Sequence, residues 1–208
     1  YHILFLYFQR VLYYIIADVP KEILNKLEIC IQEKGLDKYN KELAGNIKRE
    51  YGIPKGKSVI SPFLMQMILA YNEKYPKFWK VKHSMMRYKP VDVELQSLWV
   101  NFQKKHEFNP MHTHDGIYSF VIWHKVPYSI EQEKQQFPET NMDDIRAGMF
   151  SFFMLDPSGR IYQQPIPVDK TWEGKIALFP ADLNHMVYPF YTSDDYRVSI
   201  SGNLGFKI

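Results

Sequence analysis

Apolar residues recur at three- and four-residue steps twice in the first half of the chain, and at two-residue steps through the second half. Ile23, Leu24, Leu27, Cys30 and Ile31 make the first helical set. They predict a helix opened by Asp18-Val19-Pro20 and closed at Gly35. Phe63, Leu64, Met67, Ile68 and Tyr71 predict a second helix, opened by Ser61-Pro62. Both starts put proline in the first turn, where its missing N–H costs nothing. Val11–Ala17 is a short apolar run with strand character. Leu36–Lys57 is polar, holds Gly45, Gly52, Pro54 and Gly56, and reads as connection.

From about residue 95 the period shortens. Leu98–Gln103, Ile117–Val126, Gly148–Leu155, Gly174–Phe179 and Tyr196–Leu204 read as strands, bounded by turn sequences such as Asp156-Pro157-Ser158-Gly159. Short strands punctuated in this way predict a mainly β sandwich or barrel. Gln132–Asp144 is polar and without alternation, a long loop of the kind that often covers a site. Met and aromatic residues on the second helix read as core packing.

Composition narrows the picture. The 208 residues allow one domain, or one domain with a helical addition. A chain 46% hydrophobic and 24% charged is not wholly disordered, and 15 Tyr with 14 Phe favour β structure. A net charge of +3 neither requires nor excludes an anionic partner and lacks the strength of a nucleic-acid-binding tail. The single cysteine, Cys30, excludes an internal disulfide and a Cys-based zinc finger; it reads as a small core hydrophobe. Its solitude fits a reducing compartment, so a cytoplasmic location is expected, in the host if the source is a phage. No apolar run approaches the ~18–20 residues of a membrane span. Leu6-Tyr7-Phe8-Gln9 resembles the tail of a protease-tag recognition sequence, so residues 1–9 are set aside from functional argument. A homodimer stays open.

Candidate chemistry centres on histidine. Of His2, His83, His106, His112, His114, His124 and His185, two form the dense cluster His112-Thr113-His114-Asp115. In an extended segment His112 and His114 project to one side, with Asp115 opposite unless Gly116 allows a turn. His185 follows Pro180 by five residues. Arg197, Ser199, Ser201 and Asn203 share one face of the last strand, which makes that face either a polar-lined interior or the wet side of a sheet. His124 reads as a packed residue on an apolar strand; His83 and His106 read as solvated.

Taken in order, Trp99, Asn101, Pro110, His112, His114, Ser119, Pro127, then Gly174, Phe179, Pro180, His185, then Arg197, Ser199, Ser201 and Asn203 form a pattern that resembles the iron(II)/2-oxoglutarate-dependent oxygenases. The nearest likeness is to a small branch found in phages and bacteria, and Leu43-Ala44-Gly45-Asn46-Ile47 matches its N-terminal part. The resemblance covers about residues 13–206. It implies a double-stranded β-helix, or jelly roll, with N-terminal flanking helices. One domain then spans residues 10–208, helical over 10–94 and jelly roll over 95–208. It also implies iron(II) as metal, 2-oxoglutarate as co-substrate and hydroxylation of a substrate the sequence does not identify.

On that resemblance His112, His114 and His185 are the metal ligands, and Arg197, Ser199 and Asn101 hold 2-oxoglutarate. An arginine in an apolar barrel needs an anionic partner, which the distal carboxylate supplies. The departure from the family's usual pattern lies at His114, where a carboxylate normally stands. Three His could bind, Asp115 could turn in, or only one of the neighbouring His could serve. Two other classes compete. A cupin-type binding domain also has a Gly-to-Pro strand followed by His, but Ser119 stands where its Glu belongs. A three-His zinc hydrolase lacks a general base beyond Asp115. Metal identity together with stabilisation by 2-oxoglutarate separates the three.

Overall fold

The computed structural model describes residues 13–76, 93–156 and 158–207. Residues 1–9, His83 and the start of the first apolar run lie outside that range. Ten strands among the described residues form two antiparallel sheets. The larger has six: β1 (Ile15–Asp18), β2 (Glu50–Gly52), β3 (Val93–Gln103), β5 (Tyr118–Lys125), β8 (Lys175–Pro180) and β10 (Arg197–Phe206), in the order β1-β8-β5-β10-β3-β2. The smaller has four: β4 (Asn109–His112), β6 (Phe150–Leu155), β7 (Ile161–Ile166) and β9 (His185–Val187), in the order β4-β9-β6-β7. The whole is the expected mainly β jelly roll.

Alternation sorts the six-stranded sheet into two faces. Val100, Phe120, Ile122, Ile176, Leu178 and Ile200 pack in one core with helices α1 (Lys21–Ile31) and α2 (Gly56–Lys74), through Leu27, Ile60, Leu64 and Tyr71. The opposite face carries Val121, Trp123, Ala177 and Phe179 into a second core with Phe150, Phe152 and Phe190. Each of these side chains removes apolar surface from water, about 1.5–3 kcal/mol apiece for the large ones. β1 and β2 are the outer strands of the larger sheet, so the N-terminal part supplies edge strands as well as helices.

Several elements differ from expectation for identifiable reasons. α2 begins at Gly56, and Pro62 lies inside it. Proline removes one helical N–H there, and the helix continues because its apolar face is already buried. α1 ends at Ile31, with Gly35 (φ +78°) in the turn beyond. Gln132–Asp144 opens on a short helix, α3 (Ile130–Lys134), capped by Ser129. The buried carboxylate of Glu133 in α3 accepts from the backbone N–H groups of Tyr191 (2.7 Å) and Thr192 (2.9 Å), which pins this connection to the loop before β10. β7 contains Pro165 and sits at a sheet edge, where a strand tolerates proline.

Gly116 joins the histidine pair to β5. Its φ is +98°, and a Cβ there would lie 2.6 Å from the Leu204 carbonyl oxygen. Backbone cannot yield as a flexible side chain can. Gly116→Ala is therefore expected to lower stability by about 1–3 kcal/mol, read as the urea midpoint of unfolding.

Candidate metal centre

β4 and β9 pair antiparallel with His112 and His185 as direct partners. That register places their rings 4.2 Å apart. His114 lies two residues past β4, and its backbone N–H donates to the Ala181 carbonyl at 2.8 Å, just beyond β8. Its ring then sits 4.9 Å from His112 and 5.0 Å from His185. One nitrogen from each ring lies within 4.8 Å of the other two, a grouping that could hold a metal ion. Asp115 is exposed and outside this group. His112 and His114 come together, with their rings on one side, and Asp115 is not brought into the group.

The surroundings are apolar. His185 is 3% exposed, stacked on Phe150 and flanked by Phe179. Burial pushes its pKa well below the usual imidazole value, and the other two His add to the effect. Burial also lowers His112, and burial with the neighbouring His112 brings His114 down to about 4. Near neutral pH all three rings are uncharged and each keeps a lone pair for a metal. Two tautomers follow from the backbone. His112 Nδ1 meets the Pro110 carbonyl at 2.7 Å and His185 Nδ1 meets the Leu183 carbonyl at 2.9 Å. A carbonyl only accepts, so both Nδ1 atoms donate and Nε2 is left as the ligand atom on each ring.

A cavity of about 40 Å³ adjoins the three rings. Asn101, Gln103, Ser199 and Ser201 are its polar lining away from the imidazoles' own element ends. Asn101 Nδ2 donates to Ser199 Oγ at 3.2 Å, while Asn101 Oδ1 and Asn109 Oδ1 are buried without a partner. Leu43, Ala44 and Ile47 also line it. The Asn46 N–H donates to the Phe108 carbonyl (2.8 Å), and Gly45 lies so close to Asn109 that a Cβ would fall 1.8 Å from Oδ1.

Arg197 is 3% exposed and does not line this cavity. All five of its N–H groups are used. Nε (3.1 Å) and Nη2 donate to Gln103 Oε1, Nη1 to Tyr128 Oη (2.6 Å) and the Gly148 carbonyl (3.0 Å), and Nη2 also to the Tyr188 carbonyl (3.2 Å). Each acceptor is neutral. Asp194 and Asp195, close to Arg197 in the chain, approach Lys105 (2.8 Å) and Lys125 (4.0 Å) instead. Asn203 accepts from Ser119 Oγ at 2.8 Å, away from the imidazoles. His124 contacts Glu28 of α1, and His106 is exposed with φ +69°. Sequence reasoning missed Gln103 and Tyr128 as partners of Arg197. Alternation from Trp99 and Asn101 could have found Gln103; nothing local marks Tyr128.

A family model described as "Putative 2OG-Fe(II) oxygenase" matches residues 97–203. The chain belongs to this family. As an oxygenase it uses iron(II) and 2-oxoglutarate, which sets aside the cupin-domain and zinc-hydrolase alternatives. The three neutral imidazoles are a donor set that suits Fe(II) and leaves open coordination positions. Among solved structures, a prolyl-4-hydroxylase from Pseudomonas putida is similar at a TM-score of 0.53 and 14% identity, over 94% of this chain and 93% of that one. A 2OG-Fe(II) oxygenase family oxidoreductase from Burkholderia pseudomallei is similar at 0.50 and 12%, over 92% and 84%. Both share the fold. No curated protein matches the oxygenase chain. Among the described residues no helix is long and apolar enough to cross a membrane.

Glu50 stands apart from the imidazoles but faces Asn101 across the β2–β3 pair. It is fully buried. Asn40 Nδ2 donates to its Oε2 (3.1 Å) and to the Ile47 carbonyl (2.6 Å), while Oε1 has no partner. Burial, with Glu107 adding repulsion, pushes its carboxyl up to about 7. The proton is thus held more tightly in the folded than in the unfolded chain. Its stabilising effect is complete below about pH 4.5 and is lost as pH rises through about 7. Glu50→Gln is expected to match the wild type near pH 4.5 and exceed it by about 1–3 kcal/mol at pH 8, measured by urea unfolding at both values.

Proposed function

We propose that His112, His114 and His185 hold the iron of this oxygenase, and that Arg197 receives the distal carboxylate of 2-oxoglutarate with Ser199 and Asn101 beside it. The observation that carries this reading is the convergence of three uncharged imidazoles beside a polar lining, in a fold whose family uses that metal and co-substrate. When bound, iron with 2-oxoglutarate and dioxygen supplies the oxidising power. The protein's own part is to hold and orient. The Pro110 and Leu183 carbonyls fix the rings of His112 and His185 with Nε2 free. The phenylalanines around His185 keep water from that side.

Charge supports the assignment of Arg197. A buried guanidinium whose hydrogen bonds all go to neutral acceptors would be bonded more strongly by a carboxylate. The metal ligands add no negative charge either, so a dianionic co-substrate would balance both ends of the site. The lone cysteine accords with a cytoplasmic protein.

Metal analysis tests the ligand set. His112→Ala and His185→Ala should each abolish stoichiometric Fe(II) or Ni(II) binding, whereas Asp115→Ala should retain it. Full metal content in both His variants would overturn the site. Arg197→Ala should keep the metal yet weaken 2-oxoglutarate binding by about 30-fold or more, with Arg197→Lys intermediate because it keeps the charge and loses the planar fork.

A further inference from the structure

We propose that Gln103 is a built-in substitute for the co-substrate's carboxylate on Arg197, and that its amide sets how tightly 2-oxoglutarate binds. The inference rests on Arg197 being the receiver of the distal carboxylate. Nε and one Nη form the edge of a guanidinium that a carboxylate takes as a fork. In this structure both N–H groups of that edge go to one atom, Gln103 Oε1.

The other acceptors are parts of the framework. Two are the backbone carbonyls of Gly148 and Tyr188. The third is the Tyr128 hydroxyl, itself anchored by donating to the Gly148 carbonyl at 2.7 Å. Gln103 differs because its side chain can swing about several torsions without moving the backbone. Its Nε2 is held only by the carbonyl of Glu107, in the turn after β3. Gln103 lines the imidazole cavity and Arg197 does not, so Gln103 is the residue that touches both the cavity and the guanidinium fork. An incoming carboxylate therefore reaches the fork by displacing that amide. The exchange favours the carboxylate because an ionised acceptor bonds the guanidinium more strongly than a neutral one, but part of its binding free energy is used to remove the amide.

Gln103→Glu is isosteric and would put a permanent carboxylate on the fork. Titration calorimetry of 2-oxoglutarate into Ni(II)-loaded protein should show binding at least about tenfold weaker for Gln103→Glu. Gln103→Ala should bind 2-oxoglutarate about threefold tighter or more, and in an Arg197→Ala background should change nothing. Weaker binding by Gln103→Ala, or unchanged binding by Gln103→Glu, would overturn the proposal. The two readings fail separately. Wild-type affinity in Arg197→Ala removes Arg197 as receiver; lost affinity there, with both Gln103 variants like wild type, removes only the substitute role of Gln103.

Discussion

β10 pairs with β3 on one side and β5 on the other, and this double pairing decides what faces inward. Ser199 lies opposite Asn101 on β3 and Trp123 on β5; Ser201 lies opposite Trp99 and Val121. A slip of one residue would turn Arg197, Ser199 and Ser201 towards the helices and Val198 and Ile200 into the interior. The cost would fall on both sides at once. A guanidinium would lose five hydrogen bonds, and the packing of Ile200 under the helix layer would be lost. The polar interior and the apolar helix seat are thus held in place by the same register.

Within that interior the electrostatics are unusual in what they omit. The imidazoles are kept uncharged by burial, His185 among Phe150, Phe152 and Phe179. The arginine, by contrast, is a buried cation whose hydrogen-bond acceptors are all neutral. Uncharged donors beside a cation with no carboxylate among its hydrogen-bond acceptors leave the site short of negative charge. A divalent metal alone would deepen that shortage, and an anion arriving with it would relieve it.

Much of this was legible in the residues. Two-residue alternation marked β3, β5, β6, β8 and β10, and in β5 and β8 it reports one face buried in each core. The His112-x-His114 spacing marked one half of the metal grouping. His185 was harder, since β9 is three residues long and too short to alternate; only its place after Pro180 drew attention. β7 was hidden by Pro165, which is admissible only because no strand pairs beyond it. The start of α2 was misplaced because Pro62 carries a strong local signal that tertiary packing overrides. The acceptors around Arg197 were invisible for a different reason. Gln103, Tyr128, Gly148 and Tyr188 come from four separated segments, and no local spacing reports their meeting.

Part of the cavity wall comes from a segment outside the named strands, through Leu43, Ala44 and Ile47. Two contacts tie that segment to the framework: the Asn46 N–H donates to the Phe108 carbonyl, and Gly45 sits against Asn109. A side chain at position 45 would collide with Asn109 and push the segment off its seat. The shape of the wall therefore depends on a residue that contributes no side chain to it.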